Sequence, residues 1–153
     1  MDGDDTLGAW VHRAVTEGEW AGWSLYGEDP FEDLTGPFYY RRDDDGALVC
    51  AFRAEKKHMN GGGHMHGGCM MTFADYALFI FAMDAPEGAG SVTASFSGEF
   101  VDAVREGEIV EARGEVIRGG ASLIFVRGLM TSAGRPIFNF SAILKRIRHK
   151  QKS

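Results

Sequence analysis

The sequence predicts an α+β fold, an antiparallel sheet of five to six strands wrapped around one long central helix. Three observations lead there. An apolar stretch opens at Gly67-Gly68 and runs to Met83, with one carboxylate, Asp75, inside it. Beyond Pro86-Glu87-Gly88 the pattern changes to a period of two and repeats in four successive runs. Turn signals separate the last of these runs tightly, so one long helix has one large sheet available to bury it.

Along the chain, Leu7, Trp10, Val11 and Ala14 stand at helical spacing and predict a short helix within residues 6–17. Residues 18–37 are rich in Gly, Pro, Asp and Trp and read as an ordered loop. Phe38 to Arg42 reads as a strand, Asp43-Asp44-Asp45-Gly46 as a turn, and Ala47 to Lys56 as a second strand. Asn60-Gly61-Gly62-Gly63 is a glycine loop before the helix. That helix is apolar almost all round, which marks it as buried. In Ser91 to Ser97 apolar and hydroxyl residues alternate, and Glu111 to Val116 alternates again. Arg118-Gly119-Gly120-Ala121 is a hairpin signal leading into 122–131, and Ser132 to Pro136 is another leading into 137–146.

The 153 residues suit one domain with a real core. No repeat or low-complexity linker marks a second. The parts read as an N-terminal helix and loop extension (1–35), a main domain (36–148) and a basic tail (149–153). A net charge of −6 argues against a nucleic-acid surface. The basic run from Lys145 to Lys152 is the exception, and reads as a solvated strand end or as a phosphate contact. Cys50 and Cys69 lie in apolar segments and read as free thiols in a reducing compartment, which points to the cytoplasm. The acidic start, Met1-Asp2-Gly3-Asp4-Asp5, lacks the pattern of a signal peptide. His66 and Asp75 make the 66–83 stretch too polar to span a membrane.

Chemistry concentrates in His66 to Asp75. Gly67 and Gly68 leave backbone N–H groups unshielded at the positive end of a helix dipole. Such an end suits a carbonyl oxygen that becomes an oxyanion, although glycines there also permit close helix–sheet packing. Asp75, flanked by Phe73, Ala74, Tyr76, Ala77 and Leu78, is a candidate base or nucleophile, or a carboxylate bonded to a buried hydroxyl for structure alone. Eight residues of helix separate Gly67 from Asp75, about 12 Å of rise, so one substrate carbonyl cannot meet both on one helix. If both act on one bond, they come from different chains across a two-fold axis.

The order Asn60, Gly63, His66-Gly67-Gly68, Asp75 resembles the PaaI-like acyl-CoA thioesterases of the hotdog-fold superfamily. Gly36-Pro37-Phe38-Tyr39 and His58-Met59-Asn60 resemble common lead-in segments of that family. The resemblance covers about residues 36–147 and implies a hotdog dimer, often paired into a tetramer, with coenzyme A near the interface. It implies that Asp75 is the catalytic carboxylate, as base or as nucleophile. Gly67 would polarise the thioester carbonyl, and Asn60 would hold the attacking water or the substrate. Thr93 would position the nucleophile, on the strand facing the partner's Asp. His66, Gly68, Arg118 and Gly119 are candidates for substrate or CoA contacts, with the His66 ring also bonding backbone near the helix start. Departures are the three glycines after Asn60 and a histidine at His64.

Thioester hydrolysis needs an oxyanion donor and a base, and no metal, flavin or nicotinamide; coenzyme A enters as part of the substrate. His64, His66 and Cys69 are a weak metal pattern without a fourth ligand. Two other readings keep the fold: a non-catalytic acyl-CoA-binding or sensing domain, and a dehydratase or hydratase. The last wants a histidine paired with an acid, and His66 lies about 180° round the helix from Asp75.

Overall fold

A computed structural model describes residues 12–85 and 90–147. Its elements, in order, are β1 (His12–Ala14), β2 (Ser24–Tyr26), α1 (Pro30–Thr35), β3 (Tyr39–Arg42), β4 (Leu48–Arg53), α2 (Gly67–Phe81), β5 (Ser91–Phe100), β6 (Ile109–Gly119), β7 (Leu123–Ser132) and β8 (Arg135–Arg146). The strands form one antiparallel sheet in the order β1-β2-β3-β4-β6-β7-β8-β5.

α2 is the long helix that the apolar stretch predicts. Met70, Phe73, Ala74, Tyr76, Ala77, Leu78, Ile80 and Phe81 are all buried. Apolar side chains on nearly every face suit a rod enclosed by a curved sheet. The helix packs against β4, β6 and β7, with lighter contact to β5 and β8. Its far end seats closely because Gly114 and Gly128 face each other across β6 and β7. A Cβ on Gly114 would stand 2.6 Å from the Phe81 ring and 2.2 Å from the Arg127 carbonyl oxygen, so only glycine fits.

The sheet has eight strands, not five to six, because the N-terminal extension joins it. Residues 12–14 of the expected 6–17 helix are strand β1, which pairs with β2; the remainder of that expectation lies outside the described residues, apart from 15–17, which are also not helical. The expected loop over 18–37 contains β2 and the short helix α1. The basic tail beyond Ile147 lies outside the described residues. The four late strands are not four neighbours in sequence order. β6, β7 and β8 are a meander, whereas β5 crosses to pair with β8 and closes the sheet as its edge. Periodicity shows that a segment is a strand but not which strand it pairs with.

Candidate active site

The start of α2 is fixed from both sides. The Met65 N–H donates to the Val104 carbonyl, and the His66 N–H donates to the His58 carbonyl. His66 is the N-cap, and its Nδ1 accepts from the Gly68 N–H at 2.8 Å. The cap therefore occupies the Gly68 donor and leaves the Gly67 N–H without a partner among the described residues. Gly67 sits under the ring of Phe100; a Cβ there would approach it to 3.1 Å.

Asn60 closes the preceding glycine loop. Its Oδ1 accepts from the N–H groups of Gly62 (2.9 Å) and His64 (3.2 Å). Its own N–H donates to the His64 carbonyl. With the side-chain oxygen so engaged, the amide nitrogen is the side chain's remaining donor. Behind this loop the buried His58 ties two segments together: Nδ1 accepts from the Glu55 N–H, and Nε2 donates to the Thr35 carbonyl at 2.6 Å. That second bond fixes the end of α1 against the lead-in to α2.

Asp75 is half-buried in the middle of α2, and Thr93 Oγ1 donates to its Oδ1 at 2.6 Å. Thr93 therefore binds the Asp75 of its own chain, because the start of β5 runs beside the middle of α2. A β-bulge between Thr93 and Ser95 breaks the pleat there, a device that re-aims a side chain. Burial pushes the Asp75 carboxyl above its ordinary range. The Thr93 hydrogen bond opposes that shift, and the charge of Asp29 adds to it.

Asp75 and Thr93 line a cleft of about 520 Å³ with Tyr26, Asp29, Glu32, Phe79 and the segment 90–92. A second cleft of about 340 Å³ joins Asp75 to Phe31, Met71 and Thr72. Asp29 and Glu32 line both, and neither is among the residues expected from the sequence. A signal was present: Asp29-Pro30 followed by Glu32-Asp33 is a helix start, with a capping side chain, proline in the first turn and acids after it.

Within one chain the remaining candidates do not join this cleft. Gly67, Gly68 and Asn60 stand at the opposite end of α2 from its C-terminus, and Asp75 lies between. Arg118 is exposed near the end of β6; the position of a Cβ on Gly119 lies 4.0 Å from Ala85, just past the C-terminal end of α2. Neither lines the Asp75 cleft. Among the described residues no three His, Cys, Asp or Glu side chains converge as metal ligands would, and no helix is long and apolar enough to cross a membrane. Cys50 and Cys69 are free thiols, and burial pushes Cys69 up to about 11.

Known proteins share this architecture. Residues 62–137, which hold Gly67, Asp75 and Thr93, match the model of the thioesterase superfamily. A Pseudomonas aeruginosa protein named "Putative esterase PA0474" is 32% identical over 122 residues, which are 78% of this chain and 90% of that protein. The Bacillus halodurans protein BH2602, solved with CoA, superposes with a TM-score of 0.73 at 18% identity, over 80% of this chain and 82% of that one. The Escherichia coli PaaI protein from the phenylacetic acid degradation operon superposes with a TM-score of 0.68 at 19% identity, over 79% and 86% of the two chains. The helix enclosed in its sheet, the capped diglycine start and the extent of the match to PA0474 together place this chain in the thioesterase superfamily, with the PaaI-like hotdog fold.

Proposed function

We propose that the protein hydrolyses acyl-CoA thioesters at two equivalent sites in a homodimer, each built from Asp75 and Thr93 of one protomer and the partner's Gly67 and Asn60. One observation carries this reading. β5 runs antiparallel to α2, with Thr93 bonded to Asp75 at one end and Phe100 over Gly67 at the other. β5 is also an edge strand, ten residues long, with exposed Val92 and Phe100. A long open edge of this kind is a template for pairing with another strand. Antiparallel pairing of β5 with its own copy about its middle sets Thr93 opposite the partner's Gly98, two residues from Phe100. Asp75 is then brought toward the partner's Gly67, which answers the helix-length argument above.

In that site the Gly67 N–H, at the positive end of α2, receives the thioester oxygen as it becomes an oxyanion. Asp75 takes a proton from water, whose oxygen attacks the carbonyl carbon; the tetrahedral intermediate collapses with cleavage of the C–S bond. The raised basicity of Asp75 suits that step, and Thr93 occupies one of its oxygens so that the other faces the water. The CoA that accompanies BH2602 supports coenzyme A as the carrier. The reaction so written uses no cofactor beyond the substrate's own CoA.

Free-thiol release across a small panel of acyl-CoAs tests the reading. The wild type is expected to turn over at least one member, and Asp75→Asn to lose at least about a hundredfold in kcat while remaining dimeric, the usual scale for a lost general base. Tight binding without thiol release by the wild type would instead indicate a sensing domain.

A further inference from the structure

Glu32 stands in the Asp75 cleft with no part in the chemistry so far. Asp29 caps α1, its Oδ1 accepting from the N–H groups of Phe31 (3.1 Å) and Glu32 (3.0 Å). This places Glu32 at the third helical position, where a glutamate commonly turns back to the cap's own N–H. Here it makes no such bond. Its Oε2 is buried without a hydrogen-bond partner among the described residues. The side chain borders both clefts that Asp75 lines, and a third cavity of about 100 Å³ shared with Tyr26 and Tyr76.

The surroundings are one-sided. Asp29 and Asp33 on α1 and Asp75 on α2 are acids, and Tyr26 on β2 and Tyr76 on α2 are neutral phenols. Among the described residues the one cation bordering these cavities is Arg13, in the lining of the third. An ionised Glu32 would leave its Oε2 desolvated and unbonded and would face three carboxylates, so it is held as the carboxylic acid. Burial is the first cause, the charges of Asp29, Asp75 and Asp33 follow, and together they push it up to about 8. A neutral acid beside a carboxylate is the division of roles that acid–base catalysis requires.

We propose that Glu32 is the general acid of this site, passing its proton to the leaving sulfur as the C–S bond breaks. This rests on the thioesterase reading above. The balance closes: Asp75 takes one proton from the attacking water, and the water oxygen bonds the carbonyl carbon. The C–S electron pair stays on sulfur, which receives the Glu32 proton. The proton on Asp75 then restores Glu32, and the products are a carboxylic acid and a free thiol.

The test compares one acyl group on two thiols, coenzyme A and an electron-poor thiophenol whose thiolate leaves without a proton. Glu32→Gln is expected to lose about tenfold or more in kcat/KM on the CoA thioester and less than about twofold on the aryl thioester. Activity of the wild type on the CoA thioester should fall as pH rises through about 8, where Glu32 loses its proton, and Glu32→Gln should lack that fall. Equal losses on both substrates would overturn the proposal, since a structural role does not distinguish leaving groups. Should the variant fail to fold, wild-type profiles decide: an alkaline fall confined to the CoA thioester supports the role, and the same profile on both contradicts it. A wild type that hydrolyses no thioester removes the function and this inference together; hydrolysis without leaving-group dependence removes the inference alone.

Discussion

Thr93 and Asp75 form the pair on which the proposed chemistry turns, and their hydrogen bond has an effect that can be measured. By donating to Oδ1, Thr93 favours the charged carboxylate and opposes the upward push of burial. A base must be unprotonated to act, so activity falls as pH drops through the Asp75 pKa. Thr93→Val removes the opposing contribution; the acid limb of the pH–rate profile should move to higher pH, and an unmoved limb would show that Thr93 does not tune Asp75. At the other end of the site, Gly67 offers a cleaner substitution than most oxyanion donors. It is the first residue of α2, where proline is well tolerated, and His66 before it has φ −61° and ψ 134°, which proline accepts. Gly67→Pro deletes the N–H; Gly67→Ala keeps it while crowding Phe100 in the same way. The proline variant should fall below the alanine variant by about a hundredfold or more in kcat, the usual scale for one oxyanion donor. Equal rates would assign the donor elsewhere. Asp75 and Gly67 were legible as sequence because each violates its surroundings: a charge in an apolar helix, and two poor helix formers at its start. Glu32 was not, because an acid among turn residues looks solvated until the fold encloses it.

α1 is the element whose burial has the largest consequence. Six residues long and with no fully buried side chain, it nonetheless carries Glu32 into the cleft. The folded state holds the Glu32 proton more tightly than the unfolded chain, with a carboxyl pKa raised from 4.5 to about 8. Its contribution to stability is therefore fully present below about 4.5 and is lost as pH rises through about 8. Asp75 shifts in the same direction. Urea midpoints should fall between pH 5 and pH 9, and Glu32→Gln should flatten part of that fall. The depressed carboxyls of Asp84, Asp102 and Glu108 titrate below this window and do not confound it. A fall of the same size in Glu32→Gln would contradict the buried-acid account. The contrast between α1 and α2 also explains what sequence reading reaches. α2 declares itself because burial on every face forces apolar residues throughout. α1 is short, exposed at Phe31 and Leu34, and framed by Gly27 and Gly36, so its cap was hidden among loop signals. β1 was hidden likewise: its three exposed residues belong to the sheet only through pairing with β2.

For the whole molecule, the decisive feature is that β5 closes the sheet as an open edge while lying along the helix that holds both halves of the proposed site. Light scattering should find a dimer or a larger even assembly, and a monomer of full activity would refute the shared site. The proposal of two chains was readable from helix length alone, since Gly67 and Asp75 are too far apart along one axis to serve one carbonyl. The means of bringing them together was not, because the pairing of β5 with β8 is long-range and alternation cannot reveal it. Coexpression of Asp75→Asn and Gly67→Pro chains under separate tags examines that arrangement directly. Each variant alone has two damaged sites per dimer. A mixed dimer has one doubly damaged site and one built entirely from unaltered residues, so a random mixture should regain up to about a quarter of wild-type activity. Activity no greater than that of the two variants separately, in dimers shown to be mixed, would mean that each chain works alone and that the shared site is wrong.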